Sequence, residues 1–219
     1  MLCLLLTTSY KNSMKMYYYV MPRDFGFAPN PYFGYCTLAT CKPVIRKNAK
    51  VGDWIAAYGA ASSKKMRGKL IYLMQVQETQ TFDEYWNDER FKVKRPVFNK
   101  AVKHMYGDNI YHHENEEWKQ EWSHHSLPDG TVNSVNLIKD TNADRVLIGT
   151  TMYYFGNNAV SVPTEFSSLI GKGRNHRVCK DERLINKFIA YIDKTYGEGI
   201  HGVPSSWGKK GFAHYKGDR

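Results

Sequence analysis

The chain has 219 residues, 42% hydrophobic and 14% aromatic, enough for a packed core and too apolar for a disordered segment. Its formal charge of +10 points toward anionic partners, nucleic acid or nucleotides first among them. The four cysteines, Cys3, Cys36, Cys41 and Cys179, contain no CxxC pair, which argues against a zinc ribbon and fits reduced thiols in the cytoplasm.

Residues 1–15 read as a flexible or non-native N-terminal extension, because the apolar run from Leu2 to Leu6 is too short for a signal-peptide core or a membrane span. No other stretch approaches membrane-span length. Tyr17 to Met21 is aromatic and β-branched and predicts a strand. "PRDFGFAPNPYFG" follows as a shaped loop punctuated by Pro and Gly, and "YCTLATCKP" is a short apolar segment ended by Pro43. A basic turn and a Gly52-Asp53 turn then lead into a strand from Trp54 to Tyr58.

"GKLIYLMQVQETQTF" gives the clearest strand pattern, with Leu70, Tyr72, Met74 and Val76 alternating with the other face. Thr81 and Glu84 have the spacing of a capping box for a short helix. Residues 91–135 are polar and aperiodic and read as an insertion of loops and turns. "DRVLIGTTMYYFG", a Gly156-Asn157-Asn158 turn and "AVSVP" predict a hairpin. Asp181 opens a helix in which Leu184, Ile185, Phe188, Ile189 and Ile192 recur at helical spacing, with Gly197 as its stop. Residues 203–219 form a basic tail. The expected class is α+β: a small curved mixed sheet or partly open barrel with peripheral helices, formed by residues 16–202.

Four histidines fall within 14 residues of that polar region. A zinc-protease pair needs His at i and i+4 on one helix face, whereas His112–His113 and His124–His125 are adjacent and diverge. The expectation is therefore a pocket loop without metal and without a resident cofactor, in which Asp108, Asn109 and His112 bond backbone or ligand. Asp108 and His112 are the candidate acid/base groups. Cys36 or Cys41 has two readings: a nucleophile with a histidine partner, or a small buried residue. Trp54 is either a core residue or a stacking surface for a base. Lys172, Arg174, His176 and Arg177 in "GKGRNHR" suit phosphate, although the GxxxxGK[ST] spacing of a phosphate loop is absent.

Several of these stretches occur in order: "YYYVMPRDFGFAPNPYFGYCTLATCKP", "VGDWIAAYG", "TFDEYWND", "MYGDNIYH" and "GKGRNHR". Together, from about Met16 to Gly202, they resemble the nucleotide modification associated domain 2 family. The resemblance implies a bacterial or phage protein tied to base modification in DNA. The strand layout also resembles PUA-like domains of the EVE and ASCH kind, which hold a modified base beside a small barrel. Three uses follow as expectations. The first is a binding module for a modified base or nucleotide, with Asn30, Tyr32, Trp54, Tyr58, Tyr106, Asp108, Asn109 and His112 lining its pocket. The second is a base- or nucleotide-modifying enzyme using Asp108 or His112. The third is a structural partner of other proteins in a modification or defence assembly.

Overall fold

The computed structural model describes residues 13–173, 175–208 and 212–215. Its elements in chain order are β1 (Met16–Met21), β2 (Cys36–Leu38), α1 (Pro43–Asn48), β3 (Trp54–Gly59), β4 (Leu70–Gln75), β5 (Glu78–Gln80), α2 (Phe82–Asn87) and α3 (Val102–Met105). They continue with β6 (Tyr111–Glu114), β7 (Glu117–Gln120), α4 (Ser134–Thr141), β8 (Val146–Gly149), β9 (Met152–Tyr154), β10 (Arg177–Cys179), α5 (Glu182–Tyr196) and β11 (Gly199–Ile200). The main sheet has the order β10-β1-β3-β4-β9-β11, with β1–β3 and β9–β11 parallel and the other neighbours antiparallel. A second, antiparallel sheet has the order β2-β8-β5, and β6–β7 is a separate hairpin. This is a mixed α+β fold whose main sheet is not closed into a barrel.

Period-two alternation sorts the strand residues into two cores. Tyr17, Tyr19, Ile55, Ala57, Tyr72 and Met74 face the second sheet, where they meet Cys36, Leu38 and Leu147. Met16, Tyr18, Trp54, Ala56, Leu73 and Tyr153 face the opposite way, onto α5. The helix forms as its pattern predicts. The Asp181 side chain accepts from the Arg183 and Leu184 amides, Gly197 takes φ 72° at the stop, and Ile185, Phe188 and Ile192 are buried. Each of those three side chains is worth roughly 1.5–3 kcal/mol of burial. The capping box of α2 is also present, with Thr81 and Glu84 bonding reciprocally.

Two expectations change. The insertion is not a set of loose loops. It folds into α3 and the β6–β7 hairpin, and with α2 it covers the outer face of the second sheet, burying Phe82, Tyr85, Phe91, Tyr111, Val146 and Ile148 in a third core. Its polar sequence hid this because the buried positions are few aromatics scattered among polar residues, with no period. The segment after Asn158 does not pair back on β9; Val160 bridges Leu70 of β4 instead. No helix among the described residues is long and apolar enough to cross a membrane.

Candidate functional site

The chain leaves β2 at Leu38 and must turn before Pro43, which occupies the first turn of α1. It does so with two consecutive non-glycine residues in the left-handed region, Cys41 at φ 58° and Lys42 at φ 42°. Left-handed backbone costs roughly 1–2 kcal/mol per L-residue, so the surroundings must hold it. They do: the Cys41 amide donates to Asp140 Oδ1 (2.8 Å), and Arg46 Nε donates to the Cys41 carbonyl (2.8 Å). The same fully buried guanidinium donates to the carbonyls of Asp140, Ala143 and Arg145, tying this turn to the end of α4.

Beyond the turn lies a relay of three side chains. Cys41 Sγ is 3.6 Å from His125 Nε2, and His125 Nδ1–H donates to Asp140 Oδ2 (2.7 Å). The carboxylate can only accept, which assigns the proton to Nδ1 and turns Nε2 toward the sulfur. Tyr111 also donates to Asp140 Oδ2 (3.0 Å). Gln120 and Asn136 hold the His125 carbonyl (3.2 and 2.8 Å), and the imidazole lies between the rings of Phe27 and Tyr215. Burial disfavours a charged His125, but Cys41 and Asp140 outweigh it and push its pKa up to about 10. Burial likewise opposes charge on Asp140, yet His125 and Arg46 hold its carboxyl below the usual range. Neighbouring His124 goes the other way: burial and the charge of His125 push it down to about 3, so it is neutral.

The three groups also lie close enough to hold a metal ion. Their arrangement fits that poorly. An ion on Cys41 Sγ and His125 Nε2 leaves Asp140 at the far edge of the ring, bonded to Nδ1, as an outer partner. Two protein ligands fall short of the three that catalytic zinc sites supply.

The sulfur and the imidazole open into a cavity of about 200 Å³. Phe25, Phe27 and Tyr215 bring aromatic surface to its lining. Arg23, Lys42 and Lys139 bring three cations, and none of the described lining residues is acidic. Lys42 Nζ lies 4.3 Å from the centre of the Tyr19 ring, and its burial lowers its pKa. The glycine-rich basic loop passes the same edge: a Cβ on Gly171 would stand 2.9 Å from the Tyr19 carbonyl carbon and oxygen, and Tyr19 and Val20 line the cavity.

The family model described as nucleotide modification associated domain 2 matches residues 13–211. The chain belongs to that family. No curated protein and no solved structure matches it.

In this nucleotide modification associated domain the predicted site residues scatter. Asn30, Asp108 and Asn109 are fully buried in one knot. Lys94 Nζ donates to the Asn30 carbonyl and side chain, the Tyr35 carbonyl and Thr37, while Thr37 and Tyr85 donate to the two Asp108 oxygens (2.6 and 2.9 Å). Burial pushes Asp108 up to about 6 and Lys94 down to about 8. His112 sits on the β6 strand, stacked on Trp86 and paired with Glu121 (3.0 Å). Trp54 and Tyr58 are core residues beneath α5. Tyr32 stacks on Trp207. Tyr106 comes nearest the cavity, backing Phe25 and His124. None of these eight residues lines the cavity. Of the phosphate candidates, Lys172 and Arg177 are exposed, His176 packs near Tyr17 and Lys42, and Arg174 lies outside the described residues.

The cluster that does open to the cavity was visible only in fragments. Cys41 and the His124–His125 pair stand out as residue types, but Asp140, Arg23 and Lys139 carry no local signal.

Proposed function

We propose that the cavity beside Cys41 binds a base or nucleotide, alone or in a nucleic-acid strand, within a system that modifies bases. The coarse part of this reading rests on the family. The finer part is carried by one observation: three aromatic rings and three cations share the lining of a cavity with no acidic residue among the described lining residues. A flat π surface accepts any base, and cations in a low-dielectric cleft concentrate phosphate. A base in a duplex would have to be flipped out to enter. Lys172 and Arg177, both exposed, are the cations we assign to a longer strand. The recognition of a modified base, as in PUA-like domains, and a cytoplasmic bacterial or phage setting are parts of this proposal.

The test is equilibrium binding of deoxy- and ribonucleoside monophosphates and short single strands, with and without modified bases, at several salt concentrations. Mass spectrometry of molecules retained by the purified protein, with metal analysis, identifies the ligand class independently. Saturable binding should weaken by about tenfold or more in Phe25→Ala, by analogy with base-stacking losses of ~1–3 kcal/mol. Lys139→Glu should weaken it and flatten its salt dependence. Binding that ignores both substitutions sinks the assignment to this cavity.

A further inference from the structure

We infer that the cavity is catalytic, with Cys41 as a nucleophile that adds to the ring of a bound pyrimidine, His125 as its proton partner and Asp140 as the positioning residue. This rests on the nucleotide reading above and goes beyond it.

Two cysteines near each other in sequence have opposite settings. Cys36 is fully buried in β2, and burial pushes its thiol up to about 12, which keeps it inert. Cys41 is part-exposed at the cavity, on a left-handed turn, with an imidazole 3.6 Å from its sulfur and a carboxylate behind that imidazole. Nucleophile, base and orienting group in that order make the thiolate–imidazolium pair of covalent catalysis. A left-handed φ at the reactive residue, held from both sides by Asp140 and Arg46, is strain kept at a working position.

The turn also constrains the reaction. Acyl transfer in one common triad arrangement places the oxyanion beside the nucleophile's own amide. Here that amide donates to the Asp140 carboxylate, so it is occupied and negative charge already sits there. Conjugate addition needs no oxyanion at that spot. In the thiolate–imidazolium pair the Cys41 proton is held on His125 Nε2, and the sulfur electron pair forms a bond to ring C6. The C5=C6 π pair moves toward C5 and the conjugated C4 substituent. His125 then returns the proton to C5. The developing negative charge lies on the ring's far side, where Arg23, Lys42 and Lys139 can face it. Reversal removes either hydrogen from C5, expels the thiolate and restores the base, with no oxidant or co-substrate consumed.

Two measurements on the full chain separate this inference from the binding reading. The first is the pH dependence of iodoacetamide labelling, mapped to each cysteine. The charged and titratable groups around Cys41 are His125, Asp140, Lys42, Lys139, Arg46, Tyr111 and Tyr19. Cys41 should label faster than Cys36. His125→Gln should cut the Cys41 rate near neutral pH by about tenfold or more, because it removes the proton partner 3.6 Å from the sulfur. Asp140→Asn should shift the profile in the same direction, and Tyr111→Phe, which leaves the His125 bond intact, should not. The second is hydrogen–deuterium exchange at C5 of dCMP, dUMP and a short pyrimidine single strand in D2O. Wild type should exchange C5 hydrogen, and Cys41→Ser should lose about a hundredfold or more while still binding.

An ordinary labelling profile that His125→Gln does not change overturns the nucleophile. Stoichiometric zinc that shields Cys41 overturns it in favour of a metal centre. Activated Cys41 with bound pyrimidine but no C5 exchange overturns the addition step. Activated Cys41 with no nucleotide bound overturns the nucleotide reading instead.

Discussion

Two buried ionisable clusters sit in this domain, and they differ in one respect. Around Asp108 and Lys94, both carboxylate oxygens and the ammonium are bonded by Thr37, Tyr85, Asn30 and Tyr35, and every member but Tyr35 is fully buried. Around Asp140 and His125, the carboxylate and one ring nitrogen are equally well held, but the other nitrogen faces a part-exposed sulfur at a cavity. The first cluster joins the loop after β1, the start of β2 and the insertion. The second has an open end where a ligand can enter. Burial and shifted pKa values occur in both, so the open end, rather than the perturbation, marks the site.

The largest effect that tests this contrast is Asp108→Ala. It leaves the buried Thr37 and Tyr85 hydroxyls without their acceptor and removes the negative charge that favours charged Lys94, and should cost about 3–5 kcal/mol in urea unfolding. A loss under about 1 kcal/mol would mean that the knot does not depend on that carboxylate. Cys41→Gly should behave oppositely. Glycine relieves the left-handed φ, so stability should hold or rise by up to ~1 kcal/mol while iodoacetamide labelling at that position disappears. A clear loss of stability would show that the turn is unstrained.

Alkaline pH separates the clusters further. His125 is raised to about 10 in the folded protein, so its contribution is complete below the unfolded value of about 6.5 and is lost as pH rises through about 10. Lys94 is lowered to about 8, so the folded state releases its proton first, and stability from this group recovers as pH rises from about 8 toward about 10.5. Urea melts between pH 7 and pH 10 should therefore show His125→Gln losing less stability with pH than wild type. Parallel curves would refute the charged His125. At the acid end, Asp140 with its lowered pKa contributes above its unfolded value and loses that contribution as pH falls through the folded one. The smallest effect is Asp181→Ala at the start of α5, about 1 kcal/mol with Cys41 labelling unchanged, which calibrates how far stability and thiol chemistry are independent.

Residues close in sequence were the legible ones. The α5 face, its Asp181 and Gly197 ends and the Thr81–Glu84 box depend on neighbours within a few residues, and backbone geometry enforces their spacing. Strands β1, β3 and β4 were legible for the same reason, as was the family through motifs kept in order. Asp108 and Asn109 looked like a site because polar residues in an aperiodic stretch carry no mark of burial; Lys94, Thr37 and Tyr85 enclose Asp108 only after the insertion folds onto the second sheet.

The sequence by itself determined the α+β class, the main strands and two helices, the positive charge and the family. Tertiary structure alone decided which polar residues meet. His125 reaches Cys41 across 84 positions and Asp140 reaches His125 across 15. Such contacts depend on how α4, the hairpin region and the turn before α1 pack together, and no local periodicity encodes that closure.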